Sequence, residues 1–427
     1  MKTQVALKDT DFIFLKVKNL WTHFKSESFA FKCICMYIFL EYFKPQAIFP
    51  VVDILPWAQI FLVFSFLGLF FDKKSNSKIN GLYFLIVIFF LIINLSILYA
   101  FNRAWAMQQY IIFSQWVLII FLISSIVTTR ERFYIFFTIF FLCCFKIAFG
   151  TAKNWVLRGF SFTGWGLMGP PGYFQNSGEL AVLMLIFFPL SYYLYVNLKD
   201  HVNKWEKYFL LVATISPILT LLGCSSRGAQ LALLLQLVIM FYRKIFKPKY
   251  LIVIGLVAVL GWQLLPQEQK ERFTEIGEDK TSIQRQLYWE NGWEMMKEHP
   301  FLGVGYFNFQ PYYQVHYPQD MLYKRAQLPH NIFIQVGTDA GFIGLLVFML
   351  IILGSLLIRF PAKYIVEVSQ TDKLYSSIWS GLKIGIIGFA LAGQFVTIAY
   401  YPFLWISIAL LISLSKSLEG TMKKKVS

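Results

Sequence analysis

LYFLIVIFFLIINLSILYA, residues 82–100, is apolar on every face. As a helix it is long enough to cross the hydrocarbon core of a bilayer, which takes about 20 residues. A strand of a membrane β-barrel would instead alternate apolar and polar side chains over about ten residues. The rest of the chain repeats this pattern. Of 427 residues 57% are hydrophobic, 19% aromatic and only 15% charged, and the charges gather in short clusters between apolar stretches. The reading is an all-α, polytopic integral membrane protein. Spans are expected at 28–44, 55–71, 81–100, 109–128, 132–150, 178–197, 207–223, 228–246, 250–265, 332–358, 376–397 and 401–416, twelve in all. Cys33, Cys35, Cys143, Cys144 and Cys224 lie in or beside these spans without spaced ligand partners, so they read as small hydrophobes.

A net charge of +16 suggests nucleic acid at first sight, but most of the excess lies in short loops such as 72–78, 199–207 and 243–249. It is an orientation signal, and no nucleic-acid partner is expected. With Lys and Arg counted loop by loop, both termini fall on the cytoplasmic side. Residues 1–27 then form a cytoplasmic segment, spans one to nine fill 28–265, residues 266–331 form a long outer loop, spans ten to twelve fill 332–416, and 417–427 form a basic tail. Residues 1–27 lack the apolar core of a cleavable signal peptide. Ile13, Val17, Leu20, Trp21 and Phe24 share a helical face there, with Lys16, Lys18 and Lys25 elsewhere, which suits either a helix lying on the lipid surface or a disordered tail.

Two outer segments, 151–177 and 266–331, are large enough to carry chemistry. Within the longer one, 282–299 has helical logic, with Arg285, Trp289, Trp293 and Met296 on one face. Arg227 stands where the seventh span turns into the eighth; it is either a snorkelling cation or an anion clamp at a helix start. His330 precedes the tenth span and reads as a packing residue or a base near neutral pH, while Asn331 reads as the helix cap. Arg158 is a third outer cation, and Glu179 lies near the start of the sixth span. Neither a phosphate-binding G-x-x-x-x-G-K-[ST] loop nor H-E-x-x-H nor a carboxylate cluster with metal spacing is present, so no cofactor is expected.

The order SRG at 226–228, R-x-x-Y-W at 285–289, HPFLGVGYFNF at 299–309, HN at 330–331 and D-A-G-F-I-G at 339–344, with FQNSGELA at 174–181, resembles the O-antigen ligase and O-antigen polymerase superfamily of bacterial envelope enzymes. The resemblance is clearest over about residues 150–350 and implies a C-type glycosyltransferase of the inner membrane. Such an enzyme takes a glycan from an undecaprenyl diphosphate carrier on the periplasmic side, without metal or nucleotide. A ligase passes the glycan to lipid A-core or protein; a polymerase passes it to another lipid-linked glycan and works beside a flippase and a chain-length regulator. By the matching motifs Arg227 and Arg285 correspond to the family's functional arginines and His330 to its histidine. Arg158 is a candidate for assisting the displacement or binding the glycan, and Tyr288, Trp289 and Tyr306 read either as interfacial anchors or as substrate-binding residues that stack on sugar rings. Where relatives often carry Glu before the Gly-x-x-Gly element, this chain has Asp339. The competing class is a transporter or flippase, which would bury paired charges in its spans. Lys146 and Lys383 are the main ionisable residues found inside spans, and neither has an evident acidic partner.

Overall fold

A segment surrounded by lipid must satisfy its backbone hydrogen bonds internally, and the chain does so with helices. The computed structural model describes residues 16–78, 81–162, 164, 166–245, 247–248, 277–360 and 370–426, with isolated positions 255, 263, 267 and 270–271. It is 76% helical and has no strand among the described residues. In order the helices are α1 (Val17–Ser26), α2 (Phe29–Phe43), α3 (Pro45–Ile48), α4 (Trp57–Leu69), α5 (Gly81–Leu98), α6 (Arg103–Ile126), α7 (Arg130–Leu157), α8 (Ser177–Leu198), α9 (Lys204–Gly223), α10 (Arg227–Ile245), α11 (Lys280–Glu298), α12 (Phe309–His316), α13 (Ile332–Leu357), α14 (Gln370–Ala392) and α15 (Pro402–Val426).

Among the described residues eight helices are long and apolar enough to cross a membrane: α5 to α9, α13, α14 from Lys373, and α15 as far as Glu419. Helices α2, α4 and α10 coincide with the expected spans at 28–44, 55–71 and 228–246. The expected span at 250–265 lies outside the described residues apart from two isolated positions, and so does Ile13 of the N-terminal face. Helix α7 runs past its expected end, and α15 continues through the tail, where Met422 and three lysines are good helix formers.

Small residues and buried amides join the spans. On α14, a Cβ on Gly381 would stand 2.7 Å from Leu190 Cα and one on Gly385 would stand 3.2 Å from Ile186 Cα, so α14 lies directly on the backbone of α8. Gln236 of α10 is fully buried and donates to the carbonyls of Leu185 on α8 (2.9 Å) and Ile384 on α14 (3.0 Å).

At the end of the bundle where α7 begins, Arg132 is fully buried. Its guanidinium donates to Glu27 Oε2 (2.8 Å), both oxygens of Asp72 (2.7 and 3.0 Å), the Ile126 carbonyl and Ser28 Oγ. Lys74 and His23 complete the shell around Glu27. Arg132 thereby ties the starts of α2 and α7 to the turn after α4. Amphipathic α1 rests against this anchor, with Leu20 and Phe24 on the core and Trp21 stacked on Phe24 at 5.6 Å. Lys146 and Lys383 donate to the carbonyls of Phe43 (2.9 Å) and Ile358 (2.5 Å) at helix ends.

Helix α13 is interrupted. Gly341 has φ 68° and ψ −173°, and the segment 299–305 enters the gap. Val304 N–H donates to the Thr338 carbonyl and Phe342 N–H to the Pro300 carbonyl, both at 2.8 Å. Gly303 has φ 66°, and a Cβ there would stand 2.1 Å from Thr338 O. The same segment reaches the turn between α5 and α6, because Phe101 N–H donates to the Val304 carbonyl at 3.0 Å. The long loop is thereby fixed to the transmembrane bundle.

Candidate active site

Five chain turns meet at the end of the bundle where α8, α10, α13 and α15 begin, and they enclose a cavity of about 500 Å³. Arg227, the first residue of α10, Arg285, in the second turn of α11, and His330, just ahead of α13, all line it. Residues far apart in sequence thus share one polar chamber.

Asp279 organises the cationic side. It caps α11, accepting at Oδ1 from the N–H groups of Thr281 and Ser282 (3.1 Å each), while Oδ2 accepts from Ser282 Oγ (2.6 Å) and Arg227 Nη2 (3.0 Å). One carboxylate therefore starts the helix that carries Arg285 and aims Arg227. Burial opposes the charge on Asp279, but the hydrogen bonds from Ser282 and Arg227 outweigh it and hold the carboxyl below its usual range. Burial, and then the charge on Arg227, push the Arg285 guanidinium down from its ordinary value, and its Nε has no hydrogen-bond partner among the described residues. Two neighbouring guanidiniums, one with an unfilled donor, form a seat for an anion.

His330 has φ 51°, unusual for a residue with a side chain, and its N–H donates to Thr397 Oγ1 at 2.8 Å. Asn331 caps α13, accepting from Phe333 N–H (2.8 Å) and Ile334 N–H (3.3 Å). Ile332 N–H donates to the Gly393 carbonyl at 2.8 Å, and Gln335 Oε1 accepts from Ala399 N–H at 3.2 Å. The turn 393–401 therefore grips the start of α13 and sets the histidine. Burial, and then the Arg285 charge, push the imidazole down to about 4, so it is neutral at pH 7 and able to take a proton. Glu179 in the first turn of α8 and Tyr401 just before α15 complete the polar lining.

The other four candidates, Tyr288, Trp289, Arg158 and Tyr306, do not line the cavity. Tyr288 is buried against Phe309 and Tyr313, and its hydroxyl accepts from Gln327 N–H at 2.8 Å. Trp289 Nε1 donates to the Pro329 carbonyl at 2.9 Å. Both brace the segment that leads into His330. Arg158 is exposed at the end of α7, and Tyr306 is fully buried beside Tyr400. Sequence reasoning missed Asp279, Thr397 and Tyr401. The Asp279 cap was readable as D-x-x-S ahead of an amphipathic stretch, whereas Thr397 and Tyr401 carry no local signal.

Residues 210–349 match the family model described as O-antigen ligase. No curated protein matches the chain. The matched segment begins in α9, passes through α10 and α11, and ends in α13, so it contains Arg227, Asp279, Arg285 and His330. The family-model match over residues 210–349 supports the resemblance of this membrane protein to the O-antigen ligase and polymerase family.

Proposed function

We propose that the protein transfers a glycan from an undecaprenyl diphosphate carrier to an acceptor hydroxyl at the periplasmic face of the bacterial inner membrane, with both termini cytoplasmic. The reading rests above all on one observation: Arg227, Arg285 and His330, all three within the family-matched segment, line a single cavity. In the proposed step the acceptor oxygen attacks the anomeric carbon as the bond to the diphosphate oxygen breaks on the opposite face, which inverts the centre. The proton of the acceptor hydroxyl goes to His330, and the diphosphate leaves with the bonding electrons. Negative charge grows on that leaving group beside Arg227 and Arg285, whose guanidiniums line the cavity and stabilise it.

Replacing His330 with Ala tests the base assignment in protein that still inserts and binds donor. Glycan transfer falls by about a hundredfold or more if the imidazole takes the proton, and transfer at the normal rate removes the assignment. Polymerase and ligase separate when lipid-linked repeat units are supplied with no other acceptor. Only a polymerase lengthens them, and in that case a flippase and a chain-length regulator are the expected partners.

A further inference from the structure

The cavity contains a carboxylate that the proposed displacement does not use. Glu179 lies three residues after Asn176, the cap of α8, whose Oδ1 accepts from Gly178 N–H at 2.8 Å. In this Asn-x-x-Glu pattern the glutamate faces back toward the cap's own N–H, and the Asn176 backbone stands beside the Glu179 carboxylate. A purely structural cap would need nothing more. Here the hydroxyl of Tyr401 is also set against the carboxylate, both side chains line the cavity, and burial followed by the Glu179 charge pushes the Tyr401 phenol up. The Oγ of Ser225, on the same lining, is buried without a hydrogen-bond partner among the described residues. Glu179 comes from α8, Ser225 from the turn before α10 and Tyr401 from the turn before α15, whereas Arg285 and Asp279 come from the α11 region, to which Asp279 ties the Arg227 guanidinium.

A carboxylate repels a diphosphate, so this part of the wall does not suit the donor's leaving group. It suits a neutral ligand with several hydroxyls, because sugar O–H groups donate to a carboxylate through charge-assisted bonds about twice as strong as neutral ones. We propose that Glu179 and Tyr401 form the acceptor subsite, holding neighbouring hydroxyls of an acceptor sugar and presenting one of them to His330. The proposal rests on the transferase reading above and adds to it where the acceptor binds and which residues hold it.

The test uses the full chain in lipid nanodiscs with two probes. Farnesyl diphosphate reports the donor side by tryptophan fluorescence, and the methyl glycosides of glucose, galactose and mannose report the acceptor side by saturation-transfer NMR. Glu179→Gln keeps an amide able to serve the helix cap and removes only the charge. In Glu179→Gln and Tyr401→Phe the glycoside signal should fall by about fivefold while farnesyl diphosphate affinity stays within about twofold. The proposal is overturned by an unchanged glycoside signal in Glu179→Gln, by an equal loss of farnesyl diphosphate binding, or by wild-type protein that binds none of the glycosides. Wild-type protein that binds glycoside but not farnesyl diphosphate overturns the donor assignment instead and leaves the sugar site standing.

Discussion

His330 gains its properties from its surroundings. Its imidazole is pushed down to about 4 by burial and by Arg285, while a histidine in an unfolded chain titrates near about 6.5. Between those values the unfolded chain binds a proton that the folded chain does not. Its contribution to stability is therefore complete above about pH 6.5 and declines as the pH falls toward about 4. If His330 is the base, the acid limb of kcat/KM lies near about pH 4; a limb at the ordinary histidine value would separate catalysis from this residue. Arg285→Lys keeps a positive charge but loses the planar fork, and we expect a drop in kcat of about a hundredfold, measured as turnover of lipid-linked glycan. The family order of motifs made Arg227, Arg285 and His330 legible in sequence. The orienting contacts from Asp279 and Thr397 were not, because each joins residues from separate elements.

Helices begin and break here for local reasons that can be tested. Asn331→Ala removes the side-chain acceptor from the start of α13 and should cost about 1 kcal/mol of stability in chemical or thermal unfolding, with little change in helix content. Gly303→Ala is predicted to cost more, about 1–3 kcal/mol, because a side chain at φ 66° would also collide with the Thr338 carbonyl. A Gly303→Ala protein as stable as wild type would mean that the loop need not enter the gap in α13. The HPFLGVGYFNF motif is visible in the sequence as a string of letters, and its reason is visible only in space. The stretch QVGTDAG at 335–341 is polar and glycine-containing within an otherwise apolar run, but its letters do not say that the chain leaves helical geometry at Gly341.

Across the whole molecule the two ends of the bundle differ in charge chemistry. The Arg132 end is a closed network in which one guanidinium is shared between Glu27 and Asp72, both almost wholly buried. Asp72→Ala strands part of that charge and should destabilise the protein by about 3–5 kcal/mol, read as a lower unfolding midpoint in nanodiscs. A midpoint unchanged by that substitution would show that the network does not anchor α1, α2 and α7. At the other end, Arg285 keeps an unfilled donor in an open chamber, an arrangement that is poor as an anchor and suited to a ligand. The all-α membrane class and the spans that coincide with described helices were determined by sequence alone, because lipid demands long apolar runs and each run closes its own backbone hydrogen bonds. The tertiary structure decided the chamber, the placement of Tyr288 and Trp289 outside it, the buried Arg132 network and the loop inserted into α13. Each depends on contacts between residues distant in the chain, and such contacts leave no periodic trace in the sequence.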